Sequence, residues 1–130
     1  MKKKKTGPTS SELEILQVLW KNSPLSVRAV HDQISENKET GYTTTLKTMQ
    51  IMTEKGLVSR EILGKKHVYS PVQTEDLIQD ELLDKFLKRA FQGSTYKLVL
   101  KALGNHTTNR QELAEIQEFI NQKKKENGSI

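Results

Sequence analysis

Cysteine is absent from all 130 residues. A disulfide framework, a thiol nucleophile and a cysteine-ligated metal are thereby excluded. Aromatic residues make up 5% of the chain and apolar residues 34%, low for a globular protein. A core drawn from so little is thin, and a thin core is often completed by a second copy of the chain. No apolar stretch approaches the roughly 18 residues that a membrane span requires. The opening MKKKKTGPTSSEL is basic but has no apolar run behind it, unlike a signal peptide. A soluble, cytoplasmic chain without membrane insertion is expected. Catalytic signatures are also missing: there is no HExxH, no nucleophile elbow and no glycine-rich phosphate loop. Gly64-Lys65-Lys66 lacks the earlier glycine and the following hydroxyl residue of a P-loop. His31, His67 and His106 fall in three separate segments, and Glu75-Asp76 and Asp80-Glu81 read as solvated helix charges. Neither an enzyme nor a metal or cofactor site is expected.

Charge is present, and it is unevenly placed. Residues 1–73 hold 12 Lys+Arg against 7 Asp+Glu, whereas residues 74–130 hold 9 of each. The basic excess in the first part hints at a polyanionic partner. Lys2 to Lys5 supply four of those charges and read as a solvated tail.

Hydrophobic periodicity divides the chain further. Ser10 or Ser11 caps a first helix, with Glu12 and Glu14 in its first turn and Leu13, Ile15, Leu16, Leu19 and Trp20 at helical spacing. Asn22-Ser23-Pro24 ends it. Ser26 caps a short second helix carrying Val27, Val30 and Ile34 inward. Tyr42 opens a third helix that stops at Gly56. Residues 57–72, LVSREILGKKHVYSPV, are rich in β-branched and aromatic residues and are interrupted by Gly64-Lys65, which predicts a β-hairpin with a basic tip. Thr74 caps a long helix reaching Phe91, which Gln92-Gly93-Ser94 breaks. A shorter helix over YKLVLKAL is broken at Gly104-Asn105. Thr108-Asn109-Arg110-Gln111 resembles a capping box and opens a last helix that frays from Lys123.

Three short helices followed by a hairpin is the order of a winged helix-turn-helix. The expected fold is mainly α with a small β-hairpin: a basic tail at 1–9, a winged-helix DNA-binding domain at 10–73, a helical dimerisation domain at 74–123 and a frayed tail at 124–130. The wide apolar faces of the later helices predict self-association through Ile78, Leu82, Phe86, Leu98, Leu113, Ile116 and Ile120.

The third helix is unusual in composition. Five of the sixteen residues of GYTTTLKTMQIMTEKG are threonine, a middling helix former. At about 100° per residue, Tyr42, Thr45, Leu46, Met49, Met52 and Thr53 share one side. Thr43, Thr44, Lys47, Thr48, Ile51 and Glu54 share the other. In a helix-turn-helix the start of the second motif helix reaches base edges. Small side chains there allow close approach, a threonine hydroxyl bonds a base or phosphate, and its methyl meets a thymine methyl. Thr43, Thr44, Lys47 and Thr48 are the expected recognition residues. Ile51 falls either at the edge of the core or against DNA sugars. On the hairpin, Arg60, Lys65, Lys66 and His67 flank Gly64 and are expected to neutralise phosphates. The alternative is a winged helix used only for protein–protein contact.

The segments ELEILQVLW, SVRAVHDQI, YTTTLKTMQIMTEKGLV, HVYSPV and DKFLKRAFQGSTYKLVLKAL together resemble the penicillinase repressor family, over residues 10 to 122. That family comprises bacterial repressors of β-lactamase and methicillin-resistance genes, with copper-responsive cousins. The resemblance implies a homodimeric transcriptional repressor that binds double-stranded, dyad-symmetric operator DNA. It also implies a membrane-bound sensor-protease system that relieves repression by cleavage just after the LVL segment, which puts the candidate cleavage region at Leu100, Lys101 and Ala102. The chain departs from the family in three respects. The paired cysteines of copper-responsive members are missing. Lys101-Ala102 stands where antibiotic-responsive members have an Asn-Phe bond. Gln50 and Ile51 stand where arginines are frequent.

Overall fold

The computed structural model describes residues 7–128. Lys2 to Lys5, the basic part of the expected tail, lie outside the described residues, as do the last two residues of the chain. The elements in order are α1 (Ser10–Lys21), α2 (Val27–Ile34), α3 (Tyr42–Lys55), β1 (Val58–Leu63), β2 (Lys66–Pro71), α4 (Glu75–Phe91), α5 (Thr95–Asn105) and α6 (Arg110–Asn127). The chain divides into two compact units, the first ending at Asp84 and the second beginning at Lys85.

In the first unit, α1, α2 and α3 pack around Leu16, Leu19, Val30, Met49 and Met52, each less than 2% exposed. Burying side chains of this kind stabilises a fold by about 1.5–3 kcal/mol each. The cap of α1 is Thr9, one residue ahead of the expected serines. Its hydroxyl accepts from the Glu12 amide at 3.2 Å, and Glu12 Oε1 accepts from the Thr9 amide at 2.9 Å, forming a capping box. Thr9 thus belongs to the folded unit and not to a tail. Glu12 does more than charge the first turn. It is 4% exposed, and its carboxylate takes a 2.7 Å ion pair from Lys55 at the far end of α3.

Helix α3 closes as its sequence predicts. Gly56 adopts φ 80°, its amide donates to Thr53 O, and the Leu57 amide donates to Met52 O at 2.9 Å. These two bonds form a Schellman turn that needs a left-handed residue. The hairpin then pairs β1 with β2 in antiparallel register, with Arg60 opposite Tyr69, Ile62 opposite His67 and Leu63 opposite Lys66. Gly64, at φ 69°, takes the first central position of the two-residue turn, as a type II′ connection requires. The other edge of β2 is tied by mutual backbone bonds between Leu25 and Tyr69. The indole Nε1–H of Trp20 donates to Gln73 O at 3.0 Å and anchors the chain leaving the hairpin.

Thr74 accepts from the Leu77 amide at the start of α4, as expected. The division between the units falls inside α4, at Asp84, and not ahead of it at residue 73. Ile78 explains part of this. It lies in the first unit and is 3% exposed within the single chain. Its expected place on a dimer surface is corrected accordingly: a side chain already covered by its own subunit offers no area to a second one.

The second unit is built differently. Gln92 at φ 51° and Gly93 at φ 84° end α4 in a left-handed pair, and Ser94 caps α5 through the Lys97 amide. Gly104 and Asn105, expected to break α5, are its last two residues. The cap of α6 is Asn109, whose side chain accepts from the Glu112 amide at 2.7 Å, in place of a box beginning at Thr108. Helix α6 continues to Asn127, beyond the expected fraying point at Lys123. Lys124 and Lys125 in its last turn complement the negative end of the helix dipole. None of the described side chains after Ile78 is buried. Phe86, Leu100, Leu113 and Phe119 are 56%, 52%, 45% and 64% exposed. Of the other expected dimerisation residues, Ile120 is exposed, whereas Leu82 (still within the first unit), Leu98 and Ile116 are half-buried. No helix among the described residues is long and apolar enough to cross a membrane.

Candidate nucleic-acid interface

The two faces of α3 fall nearly where 100° steps place them. Thr45, Met49 and Met52 are buried, and Leu46 and Thr53 are half-buried. Tyr42, placed on the inner side by periodicity, is 36% exposed. It opens the helix at the rim of the unit, where α2 covers only part of its ring.

The threonines separate into distinct roles. Thr45 Oγ1 shares a 3.0 Å hydrogen bond with His31 Nδ1 on α2, so its hydroxyl is an internal tie between the two helices. Thr48 Oγ1 donates to Thr44 O at 2.8 Å, and Thr53 Oγ1 donates to Met49 O at 2.9 Å. Thr48 is half-buried and lines a small cleft beside α1 with Ser11 and Glu14. Its hydroxyl proton is held by its own helix, which sets it apart from the outward residues with which periodicity grouped it. Thr43, Thr44 and Lys47 are exposed, and their side chains have no hydrogen-bond partner among the described residues. Ile51 is 42% exposed and stands outside both the core and the apolar side chains packed on it.

Beside this leading edge runs an open groove of about 530 Å³ between α2, α3 and the hairpin. Arg60, Lys66 and His67 line the hairpin wall; Lys65 stands exposed at the turn and does not line it. The opposite wall carries Arg28, Tyr42 and Gln50. No acidic side chain lines the groove. Elsewhere in the first unit, Lys38 pairs with Glu14 at 2.8 Å and Lys55 with Glu12 at 2.7 Å, while Lys21 has no carboxylate partner among the described residues. Around the groove, Arg28, Lys47, Arg60, Lys65 and Lys66 have no carboxylate partner among the described residues. Uncompensated cations on one face hold a positive potential and favour a polyanion.

The groove follows a winged helix-turn-helix, and comparison with known proteins agrees. A family model described as "Penicillinase repressor" matches residues 8–122. The chain belongs to the penicillinase repressor family. A family relative, the "Penicillinase repressor" of Bacillus licheniformis, is 27% identical over 117 residues, covering 89% of this chain and 91% of that protein. The "Methicillin resistance regulatory protein MecI" of Staphylococcus aureus strain N315 is 21% identical over 115 residues, covering 88% and 94%. The "Transcriptional regulator BlaI" of Mycobacterium tuberculosis is 29% identical over 85 residues, covering 64% and 62%. Among solved structures, the solution structure of the DNA binding domain of the repressor BlaI matches with a TM-score of 0.50 and 26% identity. It covers 57% of this chain and 90% of that one.

The hairpin wall is expected from residue type and Arg28 is not, while Tyr42 packs on α2 as its spacing predicts and still keeps 36% of its surface exposed. Arg28 and Tyr42 are joined by a contact across the α2–α3 turn, with the Arg28 guanidinium carbon 4.5 Å from the Tyr42 ring centre. Periodicity within one helix carries no trace of such a pair. The available signal was weaker: Arg28 is the only Arg or Lys in α2.

Proposed function

We propose that this chain is a homodimeric, sequence-specific transcriptional repressor acting in the cytoplasm on dyad-symmetric operator DNA. The observation that carries the reading is the exposed edge of Thr43, Thr44 and Lys47 beside a groove lined by cations and by no acid. In this reading α3 enters the major groove, about 12 Å wide. The two threonines offer hydroxyls and methyls to base edges, and Lys47 bonds guanine or phosphate. Arg60, Lys65 and Lys66 neutralise backbone phosphates, His67 contacts them beside these, and together they fix the register without reading sequence. The first unit supplies DNA binding, and the helices of the second supply the dimer contact. The reading as a module for protein contact alone gains no support from relatives named as repressors and transcriptional regulators.

The exposed apolar side chains of the second unit support the dimer. Phe86, Leu113 and Ile120 lie uncovered in the single chain, which leaves them free to be buried against a second copy. Release from DNA by a membrane-bound sensor-protease system completes the proposal, with Leu100, Lys101 and Ala102 as the cleavage region. All three are exposed on α5, and a protease reaches a helical bond there once that turn opens locally.

The test is a footprint on operators selected from a random duplex pool. A dimer protects two half-sites about one helical turn apart, roughly 10 base pairs, with affinity falling steeply as salt rises. Protection of a single half-site at monomer stoichiometry would sink the proposal.

A further inference from the structure

Arg28 is exposed, lacks a carboxylate partner among the described residues, and nevertheless has a defined place. Its guanidinium lies over the face of Tyr42 at 4.5 Å. Tyr42 is itself held, meeting the His31 ring edge-on at 5.7 Å with an interplanar angle of 83°. His31 is hydrogen-bonded to Thr45, which is 4% exposed. A sequence of contacts thus runs from the core through Thr45, His31 and Tyr42 to Arg28. A guanidinium held over a ring by its charge still has N–H groups available to acceptors. Across the groove stand Arg60, Lys66 and His67. Cations on both walls, with no acid between them, match a strand of evenly spaced phosphates. The groove also borders the first residue of α3, next to Thr43 and Thr44.

We propose that Arg28 clamps a phosphate of the DNA strand passing between α2 and the hairpin, and that Tyr42 is the positioning residue that holds the guanidinium ready. This rests on the reading that the chain binds duplex DNA. Prior stacking reduces the rotamer freedom that a long side chain would otherwise lose on binding. A contact of this kind adds affinity for any sequence and carries no base preference.

The experiment measures affinity of the full chain for a mixed-sequence duplex over a range of salt concentrations. Arg28→Ala lowers the slope of log affinity against log salt by about 1 for each engaged subunit and weakens all sequences by the same factor. Tyr42→Leu weakens binding by a smaller factor and leaves the slope nearly unchanged, because Arg28 keeps its charge but must be ordered on binding. Tyr42→Phe keeps wild-type behaviour because the ring is kept, and Tyr42→Leu adds nothing in the Arg28→Ala background. In the wild type, ring current shifts the Arg28 side-chain proton resonances upfield, and they move when duplex is added. This measurement decides the role of Tyr42 if its leucine variant fails to fold. A wild-type slope that survives Arg28→Ala overturns the clamp. Equal loss from Tyr42→Leu with or without Arg28, or Arg28 resonances that are neither shifted nor moved by duplex, overturns the positioning role. A wild type with no salt-dependent affinity for duplex overturns the DNA reading itself, a separate result.

Discussion

The two units of this chain use similar helices to opposite effect. In the first, five side chains of α1, α2 and α3 are less than 2% exposed, and the buried carboxylate of Glu12 pairs with the half-buried Lys55 to join the start of α1 to the end of α3. In the second, none of the described side chains is buried, and Phe86, Tyr96 and Phe119 are more than half exposed. Amphipathic helices gain most of their stability from covering the apolar face. A unit that covers its own face is a fold. A unit that leaves it open is half of one, and this difference motivates the proposed division into DNA-binding and dimerising parts.

The largest expected effect comes from breaking the open unit. Phe86→Asp combined with Leu113→Asp should turn the dimer into a monomer in sedimentation, with affinity for a two-half-site duplex falling about 10²–10⁴-fold through loss of bivalency. Unfolding of the first unit should be unaffected; a variant that stays dimeric ends the argument from open faces. Next is the closed unit's core. Leu19→Ala should cost about 2–5 kcal/mol in urea unfolding, because a 0%-exposed leucine leaves a cavity. Smaller is the Glu12–Lys55 ion pair: Glu12→Ala removes a cap bond and the partner of the half-buried Lys55, at about 1–3 kcal/mol by the same measurement. Lys47→Ala, on the outward edge, should leave stability within about 0.5 kcal/mol yet reduce the salt slope of DNA affinity by about 1 per contact. An unchanged slope would mean that the face is wrongly assigned. The smallest effect is expected of Ile51→Ala, within about 0.5 kcal/mol in stability. A larger loss would return Ile51 to the edge of the core.

Much of the first unit was legible because its signals are local. Gly56 and Gly64 announced a helix end and a hairpin turn, and three- and four-residue spacing sorted Met49 and Met52 from Thr43 and Lys47. What periodicity missed depends on neighbours from other elements. Tyr42 packs on α2 as its angle predicts, but the groups that meet its ring, His31 and Arg28, belong to another element. Thr48 points outward by angle, but its hydroxyl turns back to Thr44 O. Ile78 carried the same apolar pattern as Phe86, and only the folded first unit separates the covered residue from the exposed one.

The sequence by itself determined the order of the elements, the faces of α3, the turn chemistry of the hairpin and a family resemblance spread over most of the chain. Each follows from residue type and spacing, which act over a turn of helix or a few residues of strand. Only the tertiary structure decided which cations are neutralised and which remain unpaired, that Glu12 is internal, and that Arg28 sits on Tyr42. An ion pair or a stacked ring needs two side chains from distant segments within a few ångströms of each other, and packing, not spacing, brings them there.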